Sequence, residues 1–344
     1  MQVVFIVIGI LLFGIVCYFF FFYPHQTIHP REISEVSVST PEPEKYHNDV
    51  LHPCIRRTSD GRYVMVQSPW YKCRDEVENP ILYISDDPMR WDDGIVVEDT
   101  PEYGYNSDPN VYEENGRIYV FWREHKTPFC EAHNALMMTV GVYTDDYGKS
   151  FSSKQIYLTN TDEHIDSEIC PIMIKKGGKY RFYATWYQMW RKDRRNLGIS
   201  IWEGTSLENP DFRLLKQVPF KTKYICDKYK QMKVFGHIFF IPIPHKFDLW
   251  HFDLLEKDEK LYMFASEEMG DVEMMAVSDD WEHFRLKRKP LINAHYMENK
   301  VGYRQTYYKP TAFNEDKKGI RLFYTTNPPK NIFENRMFAF RVTL

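Results

Sequence analysis

Five separated stretches of this chain open with side chains that can move protons or hold charge. They are Asp49 with His52, Asp108, Asp166 with Glu168, His251 with Asp253, and Arg304 with Lys309. Several carboxyl groups gathered at one place suit general acid/base hydrolysis. Cleaving a glycosidic bond, for instance, needs one protonated carboxyl for the leaving oxygen and one carboxylate on the opposite face to activate water. Arg304 and Lys309 are suited to an anionic substrate group or to neutralising the carboxylates. Trp70, Tyr71, Tyr105, Trp186 and Trp250 lie near strand ends, where rings stack on sugar faces or pack between sheets. Each candidate also has a plainer use: Asp108 before Pro109 caps a turn, and His52 and His251 serve as satisfied core histidines.

The elements that must carry these groups are repeated. HPCIRRTSDGRYVMVQS from His52, DPNVYEENGRIYVFWRE from Asp108, CPIMIKKGGKYRFYATW from Cys170, HFDLLEKDEKLYMFASE from His251 and KPTAFNEDKKGIRLFYTT from Lys309 share one design. Each is a strand, a polar turn and a second strand rich in aromatics. Asp60-Gly61, Asn115-Gly116 and Gly177-Gly178 are the turn signals that tight hairpins require. Third strands follow as ILYISDD, MMTVGVYTDD, LGISIWEG, EMMAVSDD and MFAFRVTL, and usually a fourth. Alternation with period two recurs, and no long stretch after residue 24 sustains a helical apolar stripe. Four strands per repeat are the signature of propeller blades, so the expected fold is all-β, a five-bladed β-propeller. The fifth repeat runs out of chain before a fourth strand, and a strand within Glu32–Thr40 is expected to close it. TDDYGKSF, from Thr144 to Phe151, fits an Asp-box turn whose carboxylate bonds backbone amides while the aromatic plugs between sheets. In a propeller the first strands line the central channel, so the five opening clusters converge at one mouth.

With these motifs in place, the chain resembles the five-bladed glycoside hydrolases of family 43, family 32 and related clans, over roughly residues 45–344 and by pattern, not close identity. Ser107-Asp108-Pro109-Asn110-Val111 matches the blade-two motif. Asp166-Ser167-Glu168-Ile169-Cys170-Pro171 is a looser match to the blade-three E-G-P motif, with one extra residue before Pro. The resemblance implies Glu168 as general acid, Asp108 as the carboxylate that tunes it, Asp49 as base and His251 near the channel. His52 and Lys309 join Arg304, His251 and Trp250 as implied substrate contacts. It departs in blade one, where His52-Pro53 replaces Asp-Pro and Asp49 lies three residues earlier. An offset of three reverses the face of a strand, so Asp49 serves as base only from a loop; otherwise the base is missing or His52 replaces it. No residue set compels a metal, although such folds sometimes hold a calcium or sodium ion in the channel.

Composition bounds the rest. Lys and Arg number 44 against 48 Asp and Glu, which leaves no global positive field for a nucleic acid. Val3–Tyr23 carries no charge over 21 residues, long enough as a helix to cross a bilayer, and it ends in an aromatic belt of Tyr18, four Phe and Tyr23. A signal peptide is the competing reading. The expected organisation is an N-terminal transmembrane helix over residues 1–24, a stalk over 25–45 and the propeller over 46–344, with the globular part outside the cytoplasm. Six cysteines without C-x-x-C spacing permit one or two disulfides but no metal knuckle. The sequence thus points to a membrane-tethered glycosidase acting on carbohydrate. A phosphorolytic variant and a non-catalytic glycan- or protein-binding propeller are the alternatives.

Overall fold

The computed structural model describes residues 31–100, 104–125, 137–159, 167–188, 195–220, 222–234, 237–267, 270, 272–287, 290–293, 306–317, 319–327 and 335–343, with Gly9, Leu12 and Gly14. Five antiparallel sheets follow one another along the chain. Blade one comprises Cys54–Arg57, Tyr63–Gln67, Ile81–Ser85 and Ile95–Val96. Blade two comprises Tyr105–Glu114, Arg117–His125, Met137–Thr144 and Gln155–Thr159. Blade three comprises Ser167–Lys176, Lys179–Gln188, Arg195–Gly204 and Arg213–Pro219. Blade four comprises Leu249–Lys257, Lys260–Glu267 and Val272–Ser278, with its outer position shared by Arg285–Leu286 and Ile292–Asn293. Blade five comprises Thr306–Asn314, Gly319–Asn327 and Arg336–Thr343, and its outermost strand is Arg31–Glu35 from the other end of the chain. The fold is the expected five-bladed β-propeller.

Period-two alternation explains why the blades form a ring. Successive side chains of a strand point to opposite faces, so each blade feeds the seams on both sides. Val64 and Val66 pack with Val111, Val120 and Trp122 between blades one and two, whereas Met65 between them packs with Phe313 and Phe323 of blade five. Tyr119 and Phe121 face blade three and meet Met173 and Phe182. Ile199 and Ile201 meet Phe252 and Met263 of blade four, and Phe264 of that blade turns to Tyr307 and Leu322 of blade five. Each of the five seams is thus an apolar cluster.

The turns behave as their sequences require. Asn115 and Gly116 have φ of 55° and 84°, as a two-residue hairpin whose twist matches its strands demands. In the Asp-box, Asp146 accepts hydrogen bonds from Ser150 N at 2.9 Å and Ser150 Oγ at 2.7 Å, and Phe151 packs in the seam between blades one and two. Its role is to staple a turn.

Three expectations change. Residues 31–46 are not a stalk. Arg31–Glu35 closes blade five, Ser37–Val38 pairs with Arg90–Trp91 of blade one, and Tyr46 is buried between those two blades. Its apolar residues Ile33 and Val36, three apart, turn to opposite sides and fill the seams flanking blade five, and burying them outweighs leaving the segment solvated. Second, Cys54, Cys73 and Cys170 are free, so the described residues contain no disulfide among these three. Third, a long hairpin, Thr222–Val234 with His237–Phe247, is inserted between blades three and four. Its two strands belong to no repeat, which is why the repeat reading passes over it. All of the apolar run except Gly9, Leu12 and Gly14 lies outside the described residues; among the described residues no helix is long and apolar enough to cross a membrane.

Candidate functional site

The first strand of a blade delivers its opening residue to the channel by a local irregularity next to proline. In blade two the strand register shifts between Ser107 and Asn110, around Asp108-Pro109. In blade three it shifts between Ile169 and Ile172, around Cys170-Pro171, and in blade five between Tyr307 and Pro310, around Tyr308-Lys309. Proline has no N–H for the ladder, so the strand bulges and the preceding side chain is re-aimed. Asp108 and Cys170 adopt φ of 51° and 54°, a left-handed conformation that non-glycine residues rarely hold. His52-Pro53 leads into the blade-one strand in the same way, and blade four contributes His251 beside its own register shift. His52, Asp108, Cys170, His251 and Lys309 are therefore equivalent positions of the five blades, and all are buried.

Asp108 is the hub. Its Oδ1 lies 3.0 Å from His251 Nε2 and 3.4 Å from His52 Nε2. Its Oδ2 lies 2.9 Å from Arg123 Nη2 and accepts a hydrogen bond from Cys170 N at 3.4 Å. Burial alone drives a carboxyl toward its neutral form, but the Arg123 charge and the two imidazoles outweigh it and hold Asp108 well below the usual carboxylate range. Burial likewise pushes His52 and His251 below the usual imidazole value against the attraction of Asp108, with Lys309 and Arg123 adding to the lowering. Both imidazoles are thereby pushed toward their neutral form.

A second carboxyl completes the centre. Glu78, in the loop between the second and third strands of blade one, places Oε1 3.2 Å from His52 Nδ1 and accepts a hydrogen bond from Ser107 Oγ at 2.5 Å. Burial raises its pKa well above the normal range, opposed by the Ser107 hydroxyl and reinforced by the Asp108 charge. Ser68 Oγ also faces His52 Nδ1 at 2.9 Å, and the Tyr308 ring lies 4.5 Å from that of His251 and 5.3 Å from that of His52. Beneath this layer Arg56 bonds both oxygens of Asp253 at 2.8 and 2.6 Å, while Thr311 Oγ1 and Ala312 N also donate to Asp253.

The structure brings together Asp108, His52, His251 and Lys309, whose Nζ donates to Pro109 O at 2.9 Å. Trp250 is half-buried with its ring 5.8 Å from that of His251. Asp49 is elsewhere. Its carboxylate accepts hydrogen bonds from Asn335 N at 2.5 Å, from Asn335 Nδ2 at 2.9 and 3.0 Å, and from Trp70 N at 2.7 Å. It lies in a loop, as a blade-one base would have to, but that loop turns it toward blade five. Glu168 has its backbone opposite Trp186 in blade three, two residues before Cys170, and it is Cys170 that holds the position equivalent to Asp108. The side chain of Glu168, Asp166 and Arg304 all lie outside what is described. Sequence reasoning passed over Glu78, Arg123 and Cys170. Two of them carry a signal: Arg123 places a charge after the aromatic run of its strand, and Cys170 precedes proline as Asp108 does.

His52, Asp108 and His251 each offer a ligand atom, and these atoms lie within 4.8 Å of one another. Two imidazoles and one carboxylate suit a zinc-type divalent ion. The His52 nitrogen turned away from the set meets Glu78, the outer-shell pattern that orients a metal-ligating histidine. Calcium wants six or more oxygen ligands, which this nitrogen-rich set does not supply.

No protein-family profile matches the chain, and no curated protein matches it by sequence. Solved structures do resemble it in fold. An N-acetylgalactosamine deacetylase from F. plautii, in complex with blood group B trisaccharide, superposes with a TM-score of 0.65 at 10% identity over 91% of this chain and 94% of that one. A family 117 glycoside hydrolase from Zobellia galactanivorans gives 0.57 at 11% identity, over 91% and 90%. A family 43 β-xylosidase/α-arabinofuranosidase from a compost microbial metagenome, in complex with xylotriose, gives 0.54 at 13%, over 91% and 95%. At these identities the likeness is one of fold.

Proposed function

We propose that this chain is a glycan-processing hydrolase of the glycoside-hydrolase type, working by general acid/base chemistry at the propeller mouth and tethered to a membrane by Val3–Tyr23. One observation carries the reading. Two buried carboxyl groups flank His52 at 3.4 and 3.2 Å, and their surroundings push them in opposite directions, Asp108 toward the ionised form and Glu78 toward the protonated one. Such a separation of two neighbouring carboxyl groups is what acid/base chemistry requires, and it supports this reading. In this reading Glu78 holds the proton delivered to a leaving oxygen, and His52 passes protons between the Glu78 and Asp108 sides. Tyr308 and Trp250 supply aromatic surface to the sugar. Glu168 remains a candidate for the acid role at the start of the blade-three strand, with Arg304 and Lys309 as candidate contacts to the substrate.

A second reading is favoured by the three-ligand cluster. A divalent ion held by His52, Asp108 and His251 would polarise a carbonyl and lower the pKa of bound water, chemistry suited to removing an acyl substituent from a sugar. Glu78 would then orient His52 from its far nitrogen, as the outer-shell partner of a metal-ligating histidine. The fold shared with a sugar deacetylase supports considering it.

The test is to incubate the chain with aryl glycosides, oligosaccharides and N- and O-acetylated sugars, with chelator or with added zinc or manganese, and with or without phosphate. Glycoside cleavage that survives chelation and is lost in Glu78→Gln supports the first reading, and loss only in Glu168→Gln moves the acid to blade three. Metal-dependent acetate release supports the second, and a phosphate requirement supports phosphorolysis. Glycan binding without turnover, unchanged in Glu78→Gln, overturns both enzyme readings.

A further inference from the structure

Strand direction in blade five determines which face of the propeller the N-terminal apolar segment leaves from. Thr306–Asn314 runs from the mouth, where Lys309 sits, down to the turn entered at Glu315; Gly319–Asn327 returns, and Arg336–Thr343 descends again. Arg31–Glu35 is antiparallel to that last strand, with Arg31 opposite Arg341 and Glu35 opposite Phe338. Arg341 in turn lies opposite Arg321, near the turn, while Phe338 lies opposite Tyr324, nearer the mouth. The chain therefore enters at the turn face and climbs toward the mouth.

That route is fixed. Ile33 packs on the core between blades four and five, Val36 is buried between blades five and one, and Val36 N donates to Met337 O at 2.9 Å. Between Tyr23 and Arg31 lie the residues PHQTIHP, which even fully extended reach about 25 Å. A strand of the length of Thr306–Asn314 separates the two faces by about 30 Å.

Taken with the proposed membrane tether, on which this rests, the geometry points to a propeller docked on a lipid bilayer by its turn face, with the His52–Asp108–His251 mouth opening away from the membrane. The substrate is then a glycan free in the medium or one extending past the propeller from the surface. Sugars carried on lipid headgroups of the same bilayer lie behind the enzyme.

The molecule carries a reporter at the mouth, because Cys73 is exposed in the loop between the second and third strands of blade one. The experiment uses the full chain in phosphatidylcholine vesicles with Cys17, Cys130 and Cys226 replaced by Ser. A donor fluorophore is placed on Cys73 or, with Cys73→Ser, on Lys317→Cys at the exposed blade-five turn, and energy transfer to an acceptor-labelled lipid headgroup is read. The expected result is transfer from position 317 about twofold or more above that from Cys73, as a separation of ~30 Å implies. Equal transfer, or stronger transfer from Cys73, overturns the orientation while leaving the tether intact. A chain that fails to co-float with the vesicles overturns the tether and the orientation with it. Melting curves of both labelled proteins matching the parent exclude misfolding as the cause.

Discussion

Glu78 Oε1 stands 3.2 Å from Nδ1 of His52, and the opposite nitrogen of the same ring is turned to Asp108 at 3.4 Å. The imidazole thus separates a carboxyl that burial pushes toward its protonated form from one that Arg123 pulls toward its ionised form. Neither carboxyl belongs to the same blade as the other, so the relation exists only once blades one and two close on each other.

Replacing Glu78 by Gln keeps the shape and the Ser107 hydrogen bond but removes the transferable proton. Turnover of the glycan substrate should fall by about 10²-fold or more, the usual size of a general acid's contribution. The melting temperature should hold or rise, since the amide needs no protonation to be buried. Unchanged turnover in steady-state assays would remove Glu78 from the chemistry.

Asp49 should act on stability and not on the reaction. Asp49→Ala orphans the buried donors of Asn335 and Trp70, at a cost of about 1–3 kcal/mol for each unsatisfied group. The expected outcome is a melting temperature lower by several degrees, with turnover per folded molecule retained. A folded variant without activity would return Asp49 to the catalytic set.

Acid should unfold the propeller early. Asp108 has a depressed pKa, so the stability it contributes is present above the unfolded value of about 4 and lost as pH falls through its folded value. His52 and His251 are also depressed, so below about pH 6.5 the unfolded chain takes up protons that the folded one refuses, and stability declines there first. Denaturant melts between pH 7 and pH 4 should show this decline. The double variant His52→Gln/His251→Gln should lack its upper part.

Glu273 predicts the opposite sign. Its carboxyl is buried in the third strand of blade four with neither oxygen hydrogen-bonded, and burial alone raises its pKa. A raised acid is most stabilising below the unfolded value of about 4.3 and loses that contribution as pH rises toward the folded value. Glu273→Met should therefore raise the melting temperature, and more so at pH 8 than at pH 5. A variant less stable than the parent at both pH values would show that the carboxyl is used.

The closing strand gives a truncation test. A fragment beginning at Arg31 should melt as the full propeller does. One beginning at Pro41 loses the outer strand of blade five and the Val36 packing, and should melt lower, with faster amide exchange over Arg336–Thr343.

Much of this architecture is written in local pattern. Alternation with period two and turn pairs such as Asn115-Gly116 determine the blades and the closing strand, and the opening residues of the repeats pick out four of the five channel positions, His52, Asp108, His251 and Lys309. These features are legible because hairpin pairing and proline bulges act over a few residues. Tertiary structure decided what those positions face. Glu78 reaches Asp108's neighbourhood from a loop outside the repeated motif, Arg123 from the second strand of the motif itself, and Asp49, three residues before His52, is drawn off to Asn335, 286 residues away. Such partnerships depend on how five blades close into a ring, and no spacing along the chain encodes which loop then folds toward the channel and which toward the neighbouring blade.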